Sequence, residues 1–595
     1  MISQPARTAL RTILPLAAGA LALALTAGPA RAQVGPSPFP SGGPGGEEEP
    51  KKEGVAEAAP KTPGLLPTTP ALPAPKSARK KFELLELDGY FRLRTDWFKN
   101  FHLGFDDNVT GGAPFPRSTG CVLGGPGVPC ENSISSANMR LRLEPTINLE
   151  ETTSVHLQVD VFDNLVLGST PDGFTPNRDG RTGHLGAFDD SQAPPQAGLN
   201  EERDAIRVKR AWGEMATPVG LLKFGRMPDH WGLGMVHNSG DEDPINGGYN
   251  LDGDFGDSVD RAIFSTLVPG TRLRAAVGLD WPFTGLVSSQ DKEKALVDHA
   301  VEGGQPWDLD NADDVTQWTF VLSRLDSPTE FGDALDRGEL AINYGAYVGY
   351  RTQDWELTSK VEMGTPTLVY TNRAYKAYTP DLWLKVGYGD LLFEAEAAGQ
   401  VGSLRNDNGD SIDLRQFGAI GRGTFKAVED KLRVGLEVGF ASGDQWDNVV
   451  PGRTNIRNGL TLPPAGDSSW SRFVFDRDYH VDLILFRELI GAVNNAIYFK
   501  PFLSYELTDT LVMRVSNVTS VAAKPVATPG NGSMYGVEFD GDLGYEGQSF
   551  FAGISYGVLF PLSAMSHPAD LGYATGNAGD AGNAHTIQSR LVLRF

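Results

Sequence analysis

The sequence predicts an all-β protein, a transmembrane antiparallel β-barrel of about eighteen strands, sixteen being the alternative count. Short turns close it at one end and long loops at the other. Three observations carry the prediction: a leader that routes the chain out of the cytoplasm, a sustained two-residue hydrophobic alternation, and connections that switch regularly between tight and long.

The leader comes first. Arg7 and Arg11 precede an apolar run from Ile13 to Leu25, which ends in the small-residue site Gly28-Pro29-Ala30-Arg31-Ala32. That order is a secretory signal peptide over 1–32, and the run is shorter than the ~20 apolar residues a spanning helix needs. Residues 33–80 follow with 11 prolines and 7 glycines and Phe39 as the sole aromatic. Too little apolar surface is present there to offset the entropy of folding, so the segment reads as a disordered periplasmic linker. Its basic end, Lys76, Arg79, Lys80 and Lys81, is a candidate cell-wall or partner contact.

From 81 to 595 the period is two. Phe91, Leu93, Thr95 and Trp97 alternate with Arg92, Arg94 and Asp96; Met139, Leu141 and Leu143 alternate with Arg140, Arg142 and Glu144; Leu273, Ala275, Val277 and Leu279 alternate with Arg274, Ala276 and Asp280. Alternation places one apolar face against lipid and one polar face inward. Similar segments recur near 339–352, 380–388, 391–402, 411–426, 431–441, 496–507, 511–520, 534–545, 548–560 and 585–595. Between segments lie tight turns such as Pro218-Val219-Gly220, Gly389-Asp390 and Thr508-Asp509, and long polar stretches at 101–134, 165–202, 229–257, 282–313, 353–378, 443–475 and 561–584. Short turns on one side and long loops on the other belong to outer-membrane barrels. Residues 479–492 are ambiguous, a strand extension or a short helix folded in from a loop.

Composition removes other classes. With 75 acidic against 52 basic residues and a net charge of −23, the chain lacks the positive footprint nucleic acid demands. Two cysteines cannot build a four-cysteine zinc site, but Cys121 and Cys130, nine apart in the first long loop of an exported chain, are suited to a disulfide. Gly-x-Ser-x-Gly does not occur as a strand-to-helix nucleophile elbow and no His-Glu-x-x-His pair exists, so no enzyme is expected.

The chain resembles the alginate-export type of outer-membrane porin and, more narrowly, an uncharacterised porin-like family of secreted bacterial barrels. The resemblance rests on Phe224-Gly225-Arg226 with His230-Trp231-Gly232-Leu233-Gly234, on Gly256-Asp257-Ser258-Val259-Asp260-Arg261, and on 550–561. It implies the barrel fold and a general transport class, and no substrate. The favoured function is a passive outer-membrane channel for hydrophilic, anionic solutes or saccharides. A different class also fits the loops: a non-conducting barrel serving as a surface adhesion, assembly or anchoring scaffold.

If the apolar member of each pair faces lipid, its neighbour faces the lumen. The candidate anion pathway is then Arg92, Arg94, Arg140, Arg142, Arg207, Lys209, Arg226, Arg272 and Arg274. Loop acids Asp252, Asp254 and Asp257 are candidate calcium ligands, although solvated loop acids are the favoured reading, and no other cofactor is expected. His230 and His237 lie near Asp229 without metal-ligand spacing and read as polar loop residues. The expected partners are outer-membrane lipid and lipopolysaccharide, a small-molecule or saccharide solute, and the barrel-assembly machinery through the terminal Phe595.

Overall fold

The computed structural model describes residues 84–595, less 106–112, 116, 118–120, 122–126, 128–129, 167–205, 241–252, 254–255, 282–313, 363–364, 407, 446–467, 572 and 574–576. The signal peptide and linker therefore lie outside the described residues. Eighteen antiparallel staves form one closed sheet. They are β1 Leu85–Lys99, β2 Ser133–Glu150, β3 Thr153–Val166, β4 Arg207–Thr217, β5 Gly220–Pro228 and β6 Ser258–Leu267. Next come β7 Leu273–Trp281, β8 Val315–Arg324, β9 Leu340–Glu362, β10 Thr365–Tyr388, β11 Leu391–Arg405 and β12 Ser411–Ala427. The circuit ends with β13 Leu432–Ala441, β14 Ala496–Thr508, β15 Leu511–Ala522, β16 Met534–Glu546, β17 Phe550–Pro561 and β18 Ala584–Arg594.

Each stave pairs with its chain neighbours, and β1 closes on β18 with Leu93 opposite Leu591 and Trp97 opposite Ile587. Closure leaves no open edge, so every stave finds its backbone partners within the sheet, which the interior of a bilayer requires. Beyond Arg594 the chain end stays on the sheet: Phe595 exchanges backbone hydrogen bonds with Gly89 at 3.0 and 3.1 Å, and a Cβ on Gly89 would collide with the Phe595 ring.

The alternation has a physical height. Outward on β10 stand Tyr378, Leu382, Leu384 and Tyr388, all exposed, and neighbouring staves add Trp281, Trp318, Phe320, Leu322, Phe393 and Phe417. From Tyr388 to Tyr378, at ~3.4 Å per residue and a tilt of ~40°, the band is about 26 Å tall, the height of an outer-membrane apolar belt. Trp281, Trp318, Tyr350 and Tyr378 form an aromatic girdle at its long-loop end, with Tyr350 stacked on Tyr378 at 4.6 Å.

One sequence expectation is corrected here, and one open alternative is decided. The stretch 353–378 is not a long loop: β9 and β10, 23 and 24 residues long, continue through it as a ribbon beyond the girdle. There the outer face meets water, so the apolar side of the alternation fades and the segment looks loop-like. Residues 479–492 are the inward-folded alternative, with one π-helical turn at Leu485–Ile490. A helix not foreseen, α1 (Pro328–Asp336), sits at the short-turn end between β8 and β9. A Ser327–Glu330 capping box starts it, and Phe331 packs under Gly387.

Candidate functional site

An apolar cluster stands inside the lumen. Wall residues Ile420, Tyr498, Val518 and Leu559 form one buried apolar cluster with Leu233 and Met235 of the β5–β6 loop and with Phe473, Phe475, Tyr479, Leu485, Phe486, Leu489 and Ile490 of the β13–β14 loop. Two loops thus fold inward and meet inside the barrel. Each is held by a wall carboxylate.

Glu538 of β16 accepts the backbone N–H groups of Leu483, Ile484 and Leu485 at 3.0, 2.7 and 3.0 Å. Within the same loop, Asp482 accepts those of Phe486 and Arg487. Glu396 of β11 accepts the Leu233 and Met235 N–H groups. Gly232 and Gly234, at φ +60° and +83°, let the chain wrap closely round that carboxylate, a bend that side-chain-bearing residues rarely adopt. The loops also hold each other: Asp476 donates its N–H to Met235 O, and Gly256 donates to Asp478.

Charge is segregated around the wall. Among the described residues of β18 and β1–β4, Arg590, Arg94, Arg92, Arg140, Arg142 and Arg210 are buried with only Asp96 and Asp160 as buried acids. On β11–β16 the balance reverses, with Glu394, Glu396, Glu437, Glu538 and Asp540 against Arg422 and Lys500. Register makes the basic side continuous, because Arg94 lies opposite Arg590 and Arg92 opposite Arg140. Asp160 receives Arg142 in a two-pronged pair at 2.8 and 2.9 Å and stands 3.9 Å from Arg140. Loop carbonyls supply further acceptors. Arg140 donates to Gly253 O at 2.7 Å, and Arg210 donates to Ser239 O and Asp257 O at 2.7 and 3.1 Å.

Of the residues singled out in the sequence, the structure brings Arg92, Arg94, Arg140, Arg142 and Arg274 to the lumen. Arg207 sits opposite Asp160 in register, and its side chain is outside the described residues. Lys209 falls at an irregularity in β3–β4 pairing that turns Arg210 inward in its place. Arg226 is a correction: it faces out, 56% exposed, in a bidentate pair with Asp260 at 2.7 Å. The regular register of β5 places it on the same face as exposed Phe224, which the sequence reading had not separated from the charged face. Arg272 is another correction, since β7 starts one residue later and leaves Arg272 77% exposed in the short turn.

Arg210 and Arg261 were missed. Arg261 sits in a quoted motif yet drew no role; it is fully buried, bonded to Asp280 and, at 2.9 Å, to Asp229. The other Asp229 oxygen meets His237 Nδ1 at 3.0 Å. Burial alone would raise the Asp229 pKa, but Arg261 and His237 hold it well below the usual carboxylate range. Burial opposes the His237 charge, and Asp229, Asp257 and Asp381 outweigh it and raise its pKa. This trio ties the loop to β6 and β7 and resembles no catalytic arrangement.

Asp252 and Asp254 lie outside the described residues. Asp257 is no solvated loop acid but faces inward, accepting the Asn238 N–H at 3.2 Å. Burial, with Asp229 and Asp478 nearby and His237 opposing, pushes its pKa up to about 6. Among the described residues no group of three or more His, Cys, Asp or Glu is arranged to hold a metal. Cys121 and Cys130 are disulfide-bonded, with Cα atoms 4.4 Å apart.

No protein-family model and no curated protein matches the chain, so the alginate-export resemblance is not confirmed. Solved barrels are similar at low identity. OccK11 (OpdR) of Pseudomonas aeruginosa is 12% identical with a TM-score of 0.41, over 86% of this chain and 96% of that one. OpdK of Pseudomonas aeruginosa, in a crystal structure with vanillate, is 10% identical at 0.41, over 86% and 98%. The outer membrane channel DcaP of Acinetobacter baumannii is 10% identical at 0.36, over 86% and 97%.

Proposed function

We propose that this barrel is a gated outer-membrane channel, porin-like in class, for small anionic hydrophilic solutes. The observation that carries the reading is the basic stripe on β18 and β1–β4. Among the described residues six buried arginines and two buried wall acids stand there, and loop carbonyls at Gly253, Ser239 and Asp257 accept from two of the six. A carboxylate or sulfate oxygen on a passing solute makes the same hydrogen bonds with added charge, so it competes with a neutral carbonyl for the guanidinium groups. Opposite, Glu396 and Glu538 hold the inward loops by their backbone. Solute then passes along the basic wall by displacing the loop carbonyls bound to Arg140 and Arg210, and passage requires partial withdrawal of the loops.

Proteoliposomes that carry the barrel should admit small dicarboxylates faster than neutral sugars of equal size, and both faster than diamines. Uptake led by diamines would overturn the anionic reading. The apolar cluster inside the lumen favours a second reading, a permanently closed barrel that serves as a scaffold. Liposomes sealed to every solute would select it.

A further inference from the structure

We infer that the outer face of β10–β12, just beyond the aromatic girdle, is a docking surface for the phosphorylated headgroup of lipopolysaccharide. Three cations stand there on adjacent staves: Lys376, Arg405 and Arg415, all exposed. Their orientation follows from what lies on the other face. Ala377, Leu404, Ile412 and Leu414 are buried together on the inner side of the ribbon, and each cation is a chain neighbour of one of them. Alternation therefore turns Lys376, Arg405 and Arg415 outward.

Register groups them. Tyr378, Val401 and Arg415 share one cross-strand row; Lys376, Ser403 and Asp413 share the next row out; Arg405 lies opposite Ser411 in the row beyond. With staves ~4.8 Å apart and two residues spanning ~6.8 Å, neighbouring members of the trio have Cα atoms roughly 8 to 14 Å apart, within joint reach of one disaccharide-sized headgroup. Three acids stand near: Asp413, paired with Arg415 at 2.7 Å, Asp354, exposed on β9, and Asp410, exposed at the β11–β12 turn next to Ser411. Arg405 reaches Asn372 Oδ1 at 3.1 Å. Three cations balance three acids there, in a chain whose net charge is −23.

The patch also has a vertical order that fits an amphiphile rather than a free anion. Level with Arg415 and below Lys376 and Arg405 the same staves expose Tyr378 and Val401, then Phe417, Leu382, Leu384 and Phe393. Phosphates at the level of the basic rows place acyl chains along that apolar track, and basic residues at the headgroup level attract anionic lipid.

The inference rests on the proposed outer-membrane reading, with the long-loop end outside. Its test uses the purified full-length barrel in neutral detergent, with hexa-acylated lipid A bearing two phosphates as the probe and native mass spectrometry counting bound lipid. Wild type should bind it at least tenfold more tightly than the same lipid with its phosphates removed. The triple variant K376Q/R405Q/R415Q should lose roughly 10- to 100-fold. Arg272→Gln, at the opposite end, should bind as wild type. Equal binding by the triple variant, or equal binding of the dephosphorylated lipid, would overturn the inference. Orientation is read separately, by labelling a Ser411→Cys variant on whole cells with a membrane-impermeant maleimide. Lipid binding without surface labelling would contradict the location, and labelling without phosphate-dependent binding would contradict the docking surface.

Discussion

Replacing Glu538 should release the inward-folded β13–β14 loop. The carboxylate is fully buried and accepts three consecutive backbone N–H groups, from Leu483, Ile484 and Leu485, at 2.7–3.0 Å. Each hydrogen bond to a charged acceptor contributes ~1.5–3 kcal/mol, and a donor left unsatisfied inside the barrel costs about as much again. Water that enters as the loop lifts re-satisfies part of this, so a net ~3 kcal/mol is a fair magnitude for Glu538→Ala, or about a hundredfold in the ratio of withdrawn to inserted loop. Leu485, Phe486, Leu489 and Ile490 stay buried in the apolar cluster and keep the inserted state dominant. Glu538→Gln keeps one acceptor oxygen and should shift the ratio only about tenfold. The assay is the frequency of open events in single-channel recordings, with heat-modifiable gel mobility as proof that the barrel itself is intact. An Ala variant that stays folded and opens no more often than wild type would refute the reasoning, as would a Gln variant that opens more often than Ala.

Other predictions follow from the same structure. Detergent-extracted protein should migrate differently before and after boiling, because a closed sheet resists detergent until heated; identical mobility would count against the barrel. Alkylation of the native protein followed by non-reducing mass spectrometry should find Cys121 and Cys130 unlabelled and linked, whereas quantitative labelling of both would contradict the loop staple. Opening should be pH-dependent with a definite sign. Burial raises Asp482 to about 6 against the backbone N–H groups of Phe486 and Arg487, and Asp257 likewise to about 6. A carboxyl whose folded pKa lies above its ordinary 3.8 favours the inserted loops most below that value, and this contribution fades as pH rises towards 6. His237, raised by Asp229 once burial is overcome, keeps its charge to higher pH and fades in the same direction. Open probability should therefore rise from pH 4 to pH 7; a fall over that range would contradict the assignment.

How much of this was legible in the sequence depends on what each segment faces. Staves with lipid on one side and charge on the other, such as β1 and β2, announce themselves because the two solvents impose opposite chemistry on successive residues. The ribbon of β9 and β10 beyond the girdle has polar surroundings outside, Lys376 and Arg415 among them, and its period disappears into loop-like composition. The inward loops were hidden for another reason. Val481 to Phe486 is buried throughout, so it carries no period at all, and the loop anchors, Glu396 for the β5–β6 loop and Glu538 for this one, look in sequence like any lumen acid. Arg226 and Arg272 were misplaced by local geometry: the first stands next to the girdle where charge is tolerated on the outer face, and the second lies one residue before its stave begins. A single irregularity in register exchanged Lys209 for Arg210, which alternation alone cannot foresee.

The most direct test of the account is the reversal potential of the single channel in a tenfold salt gradient at low ionic strength. The arginine stripe on β18 and β1–β4 predicts a reversal potential on the anion side that shrinks as salt rises and moves towards cations when Arg92, Arg94, Arg140 and Arg142 are replaced by Gln. A clear cation preference in the unmodified channel, or a potential that those four substitutions leave unmoved, would contradict it.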